Sequence, residues 1–144
     1  MAAPVSLNTV ILVSPDPRAL SAFYRCLGLE PESVWPDEER PHHATIRNGG
    51  LSIEIDSLAM TKSYDHNWPN PLRHGRTILS FQVPERDGVD ALYAGLTAAG
   101  YHGHLEPFDA FWGARYAVIE DPDGNQVGLM SPQDPSRSSA PPAL

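Results

Sequence analysis

The same order of structural signals occurs twice along this chain, and that repetition limits the fold more than any other feature. Leu7 to Val13 is an apolar, β-branched run that reads as a strand. Asp16 stands where a helix N-cap belongs and Pro17 at the first helical position. Leu20, Phe23, Tyr24 and Leu27 then recur at helical spacing until Gly28 stops the run. Ser33 to Trp35, Ala44 to Arg47 and Leu51 to Asp56 are short strand candidates, the last two joined by Asn48-Gly49-Gly50. A second round opens with Ile78 to Val83. Asp87 caps a helix with Val89, Leu92, Tyr93 and Leu96 on one face, and Gly100 ends it. His102 to Phe108, Tyr116 to Glu120 and Gln126 to Met130 complete the round. Val13 and Val83 lie 70 positions apart, Tyr24 and Tyr93 69, Leu27 and Leu96 69, and Gly50 and Gly124 74. The pattern predicts two βαβββ modules, about residues 5–57 and 76–132, in one α+β domain spanning 1–132. Each module has a helix over one sheet face and leaves the other face to line a concave cup.

Composition narrows what such a domain does. Ten Lys and Arg against 18 Asp and Glu give a net charge of −8 with no basic run, which argues against nucleic acid and anionic membranes as partners. The start, MAAPVSLNTVILV, lacks a basic region and cleavage site, and no apolar run is long enough to span a bilayer, so a cytoplasmic location is expected. The single cysteine, Cys26, excludes an internal disulfide framework and reads as a small buried filler on the first helix. Residues 57–76 look like a long connection, and its Tyr64 and Trp68 suit a binding segment better than a bare linker. The segment 133–144 has the composition of a disordered tail.

The richest stretch is Phe108 to Met130. Its second half is a hairpin turning at Asp121-Pro122-Asp123-Gly124, and its first half packs Phe108, Phe111, Trp112 and Tyr116 into nine residues. Those rings form either a lid on the core edge or the wall of a pocket for a flat ligand. If Ile53, Ile55, Val127 and Leu129 pack under the helices, then Ser52, Glu54, Asp56, Gln126, Gly128 and Met130 face the cup. His102, His104 and Glu106 share a strand face that reads more simply as polar sheet surface than as a metal site. The adjacent His42 and His43 point to opposite faces of an extended strand. Asp121, Asp123 and Asn125 fit a plain turn better than a calcium loop.

On AFYRCLGLEP, the two βαβββ rounds and EDPDGNQVGL, residues 7–132 resemble the vicinal oxygen chelate superfamily of glyoxalases, extradiol dioxygenases and bleomycin-resistance proteins. Its enzymes hold a divalent metal with one side chain from each of four equivalent strand positions. Those positions fall here on Asn8, Glu54, Ile78 and Gly128, of which only Glu54 is a good ligand, so the resemblance implies no metal and no cofactor.

RPHHATIRNGG, KSYDHNWPNP, AAGYHGHLEPFDAFWGARYAVIEDPDGN and LMSP resemble a metal-free branch of that superfamily. Its members are homodimers that sequester mitomycin or anthraquinone-fused enediynes. The resemblance implies a non-catalytic, drug-binding self-resistance protein with a planar quinone-type antibiotic as partner. It assigns the ring-stacking roles to His42 and Trp112, and the aromatic stretches and the cup-facing carboxylate add Tyr64, Trp68, Phe108, Phe111, Tyr116 and Glu54 as candidate ligand-binding residues. Two other readings stay open. One is a glyoxalase- or dioxygenase-like enzyme with an atypical or absent metal site, and the other is an interaction module without a small ligand.

Overall fold

A computed structural model describes residue 7, residues 9–64 and residues 77–140. The chain divides into two compact units, Met1–Arg73 and His74–Leu144. The first contains β1 (Thr9–Ser14), α1 (Pro17–Cys26), β2 (Ser33–Trp35), β3 (His43–Asn48), β4 (Leu51–Ser57) and α2 (Leu58–Tyr64). The second contains β5 (Ile78–Gln82), α3 (Arg86–Ala98), β6 (Gly103–Asp109), β7 (Arg115–Glu120), β8 (Gln126–Met130) and a 3-10 turn at Pro135–Arg137. The sheets have equivalent orders, β1-β4-β3-β2 and β5-β8-β7-β6, each with one parallel pair and two antiparallel pairs. The fold class is α+β, with the tandem arrangement that the repeated signals predict.

Local chemistry explains why the helices start and stop where they do. Asp16 Oδ1 accepts the Ala19 backbone N–H at 3.0 Å, and Pro17 occupies the first helical turn, where a missing N–H costs nothing. Gly28 takes φ +77°, and the Leu29 N–H closes back on the Tyr24 carbonyl at 3.1 Å. Gly100 repeats this device at φ +98°, with the Tyr101 N–H on the Leu96 carbonyl at 3.1 Å. The second helix starts differently from expectation. Glu85, not Asp87, holds its N-cap position, without a side-chain bond, and Asp87 lies in the first turn.

Each sheet buries one face under its helix. Leu20, Phe23 and Tyr24 of α1 and Ala44, Ile46 and Ile55 of the sheet are fully buried, and Ile53 nearly so. In the second unit Val89 and Leu96 of α3 lie over Ala117, Ile119, Val127 and Leu129. Burying each large side chain contributes about 1.5–3 kcal/mol.

Three expectations need correction or extension. Cys26 is exposed rather than buried, because it sits on the far side of α1 from Leu20, Phe23 and Tyr24. Residues 58–64, expected in a long connection, form α2, where the Ser57 hydroxyl accepts the Met60 N–H at 3.0 Å. Composition suggests disorder from residue 133, yet the chain follows a defined course to Ala140. The Asp134 N–H meets the Gly113 carbonyl at 3.1 Å and the Ser139 N–H meets that of Phe111 at 2.8 Å.

Candidate functional site

In the second unit β6 and β7 bring an aromatic cluster together around a tight loop. The Ala110 N–H donates to the Ala114 carbonyl and the Gly113 N–H to the Ala110 carbonyl, both at 2.9 Å. Outside the loop, Arg86 Nη1 donates to the Gly113 carbonyl at 3.1 Å, and the two tail bonds hold Phe111 and Gly113. Trp112 stands among three rings, 5.1 Å from Phe111, 5.4 Å from Tyr116 and 6.3 Å from Phe108 between centroids. Phe108 and Tyr116 lie 6.0 Å apart, and all four contacts are edge-on, the favoured geometry for aromatic pairs. Phe108 and Phe111 remain 36% and 39% exposed, too much for residues that only seal a core.

The cluster sits on the sheet face that α3 does not cover. Strand register places Tyr116, Val118, Gly128, Met130, Ser80 and Ile78 on that face. A Cβ at Gly128 would collide with Ser80 Oγ and lie 2.8 Å from the Tyr116 hydroxyl. The Ser80 hydroxyl and the tyrosine ring together take up the space into which a side chain at 128 would project.

Ion pairs fix the base of this wall. Arg115 grips Asp90 of α3 with Nε at 2.9 Å and Nη2 at 2.7 Å, and Arg86 Nη2 meets Asp109 at 2.6 Å. The hydrogen bond from Arg115 holds the Asp90 carboxyl below the usual carboxylate range, and that from Arg86 does the same for Asp109.

The uncovered face of the first unit is polar. Register sets Thr9, Ile11 and Val13 of β1 beside Ser52, Glu54 and Asp56 of β4, then His43 and Thr45 of β3. Asp56, 3% exposed, is held from two sides: Tyr64 donates its hydroxyl proton to Oδ2 at 2.8 Å, and His43 Nδ1 lies 2.6 Å from Oδ1. His43 Nε2 continues the chain to Thr45 Oγ1 at 3.1 Å. Glu54 is half-buried opposite Thr45, with no hydrogen-bond partner among the described residues. His42 turns the other way, its Nδ1 2.9 Å from Ser57 Oγ and its ring 6.1 Å from the exposed Trp35. Opposite directions for the two histidines follow from strand alternation. Sequence reasoning misses the His43–Asp56–Tyr64 linkage and the Trp35 ring, although it places Asp56 on this face.

Of the residues named from sequence, Phe108, Phe111, Trp112 and Tyr116 are brought into one cluster. Glu54 and Tyr64 belong to the polar face of the first unit, whereas His42 is turned away from it onto Ser57. Trp68 and Asn8 lie outside the described residues.

These residues do not fit a superfamily-type metal. Thr9 Oγ1 meets Ser52 Oγ at 3.1 Å, so β1 offers Glu54's face one hydroxyl and the alkyl chains of Ile11 and Val13. Ile78 has no donor, and the space beside Gly128 is filled by Ser80 Oγ and Tyr116. Among the described residues no group of three or more His, Cys, Asp or Glu side chains is placed to hold an ion. His104 Nε2 accepts from Gln126 Nε2 at 3.2 Å, and both carboxylate oxygens of Asp121 are occupied within its own turn. A shallow cavity of about 560 Å³ between the end of α3 and that turn lies at the opposite end of β7 from the aromatic cluster.

Comparison with known proteins agrees with this architecture. The sequence profile of the Glyoxalase/Bleomycin resistance protein/Dioxygenase superfamily matches residues 6–129. A search of curated proteins returns no match. Among solved structures, a glyoxalase-related enzyme from Fulvimarina pelagi is similar at 20% identity and TM-score 0.76, covering 88% of each chain. A lactoylglutathione lyase from Agrobacterium tumefaciens is 22% identical with TM-score 0.67, over 90% of this chain and 96% of the other. TioX from Micromonospora sp. ML1 is 23% identical with TM-score 0.61, over 88% and 98%. At these identities the likeness concerns the fold alone.

Proposed function

The chain belongs to the glyoxalase/bleomycin resistance protein/dioxygenase superfamily, and from that premise we propose that it is a non-catalytic protein that sequesters a planar aromatic ligand of the quinone-antibiotic type. The superfamily holds both enzymes and binding proteins, so the choice rests on the site. The observation that carries it is the four-ring wall around Trp112, of which the Tyr116 ring, with Ser80 Oγ, fills the space into which a side chain at position 128 would project. Flat rings recognise flat ligands through dispersion and quadrupole contacts, each about 0.5–1.5 kcal/mol beyond the area buried. In this reading Trp112 is the stacking platform of the second unit, and His42 serves the first, with the Trp35 ring beside it. Glu54 accepts a hydrogen bond from the ligand, and Tyr64 borders it. The working form is a homodimer.

A ligand-shift thermal screen tests the proposal, run with quinone and anthraquinone antibiotics on EDTA-treated and on metal-loaded protein. At a ligand concentration about 100 times Kd, binding adds about 2.7 kcal/mol of stability, a rise of several degrees in Tm. The expected result is an equal rise with and without metal. A rise that appears only with a divalent cation favours the enzyme reading instead.

A further inference from the structure

The polar chain on the first unit's open face has a direction. A buried carboxylate only accepts, so Asp56 takes the Tyr64 hydroxyl proton on Oδ2 and a proton on His43 Nδ1 through Oδ1. In the neutral imidazole that leaves Nε2 as an acceptor, and its partner at 3.1 Å is the Thr45 hydroxyl, which donates to it. Each donor in the chain is therefore turned inward, toward Asp56. What the chain shows at its outer end is the lone-pair side of Thr45 Oγ1, facing Glu54 across the strand pair. Glu54, when ionised, is again acceptor-only. The His43 side chain is 29% exposed and that of Asp56 4%, so the far end of the chain is locked inside while its near end is reachable.

We propose that this face is a donor-reading subsite: it selects aromatic ligands that carry a free phenolic hydroxyl or an N–H, and discriminates against ligands whose oxygens are all carbonyls or ethers. The proposal deepens the flat-ligand reading and rests on it. A ligand hydroxyl meets two acceptors, Thr45 Oγ1 and the Glu54 carboxylate, whereas an ether oxygen would meet lone pairs with lone pairs. Sites built to hydrogen-bond a ligand group reject analogues lacking it because their own polar atoms are then left unpaired. Asp56 and Tyr64 act as positioning residues. They set which nitrogen of His43 holds the proton and thereby which way the Thr45 hydroxyl points.

The test compares 2,6-dihydroxyanthraquinone with its dimethyl ether, two planar probes of nearly equal shape. Neither hydroxyl of the first is tied to a quinone oxygen within the molecule. Kd is measured by tryptophan fluorescence quenching on the full chain. The wild type is expected to bind the dihydroxy probe at least tenfold more tightly. His43→Phe releases the Thr45 hydroxyl to donate outward, and the isosteric Asp56→Asn unlocks the imidazole tautomer. Each, once circular dichroism shows it folded, is expected to cut the preference below threefold, because the outward-turned Thr45 hydroxyl then donates to the oxygen of the dimethyl ether. Equal affinity of the wild type for both probes overturns the subsite but leaves the flat-ligand reading intact. A folded variant that keeps the tenfold preference also overturns the subsite. Failure of the wild type to bind either probe overturns both.

Discussion

Gly128 is where a single residue decides most about this chain. With Ser80 Oγ and the Tyr116 hydroxyl both closer to an added Cβ than real contacts allow, Gly128→Ala forces the serine hydroxyl and the tyrosine ring to shift. Overpacking of that kind costs about 1–3 kcal/mol. Urea denaturation is expected to show that loss with an unchanged m-value, and Tyr116→Phe in the same background is expected to recover part of it. The absence of a metal ligand at 128 is legible in the sequence. What stands there is not, because the reach of Tyr116 across the sheet depends on register. The same holds for His43 and Asp56. They are 13 positions apart, and only the pairing of β3 with β4 sets one opposite the other. Cys26 misleads for a simpler reason: the apolar Phe23, Tyr24 and Leu27 stand close to it in sequence, but its own side of the helix is exposed.

At the scale of elements, α3 is tied to β6 and β7 by charge as well as by its apolar face. Asp90 has its folded pKa lowered by the hydrogen bond from Arg115, so protonation is harder in the folded state than in the unfolded one. A depressed carboxylate contributes stability that is present above its unfolded pKa and is lost as pH falls through the folded value. Asp109 acts in the same direction. The Tm difference between wild type and Asp90→Asn is therefore expected to be constant near neutrality and to shrink from about pH 5 downward, as followed by thermal melts. A difference that grows in acid would contradict the assignment. The two strand–helix rounds are readable because the Asp16 cap, both glycine stops and the apolar periods agree, although the second helix starts at Glu85 rather than at Asp87. Helix α2 is not, because LAMTKSY is short and passes into a segment dominated by Asn, Pro and His. The course of residues 133–140 escapes composition too, since what holds them is backbone hydrogen bonding to the Phe111–Gly113 loop.

At the scale of the whole molecule, each unit leaves large apolar side chains in contact with solvent, among them Ile11 and Trp35 in the first and Ile78, Leu105, Phe108 and Phe111 in the second. Contiguous exposed apolar surface, such as Phe108 and Phe111 form on either side of Trp112, marks a site for a partner or a ligand. A C2 homodimer with two equivalent ligand sites is the expected assembly. Light scattering at micromolar concentration is expected to give twice the 15.7 kDa chain mass, and a monomer mass would defeat this part of the account. The central claim is that the wall around Trp112 holds a flat ligand without the help of a metal. It is tested most directly by calorimetric titration of EDTA-treated protein with a planar quinone antibiotic, comparing wild type, Trp112→Ala and Cys26→Ser. One ligand per chain is expected, with a loss of at least about 2 kcal/mol in Trp112→Ala, the size of a central aromatic anchor, and no change in Cys26→Ser. Unchanged affinity in a folded Trp112→Ala would contradict it and reduce the four rings to a lid on the core.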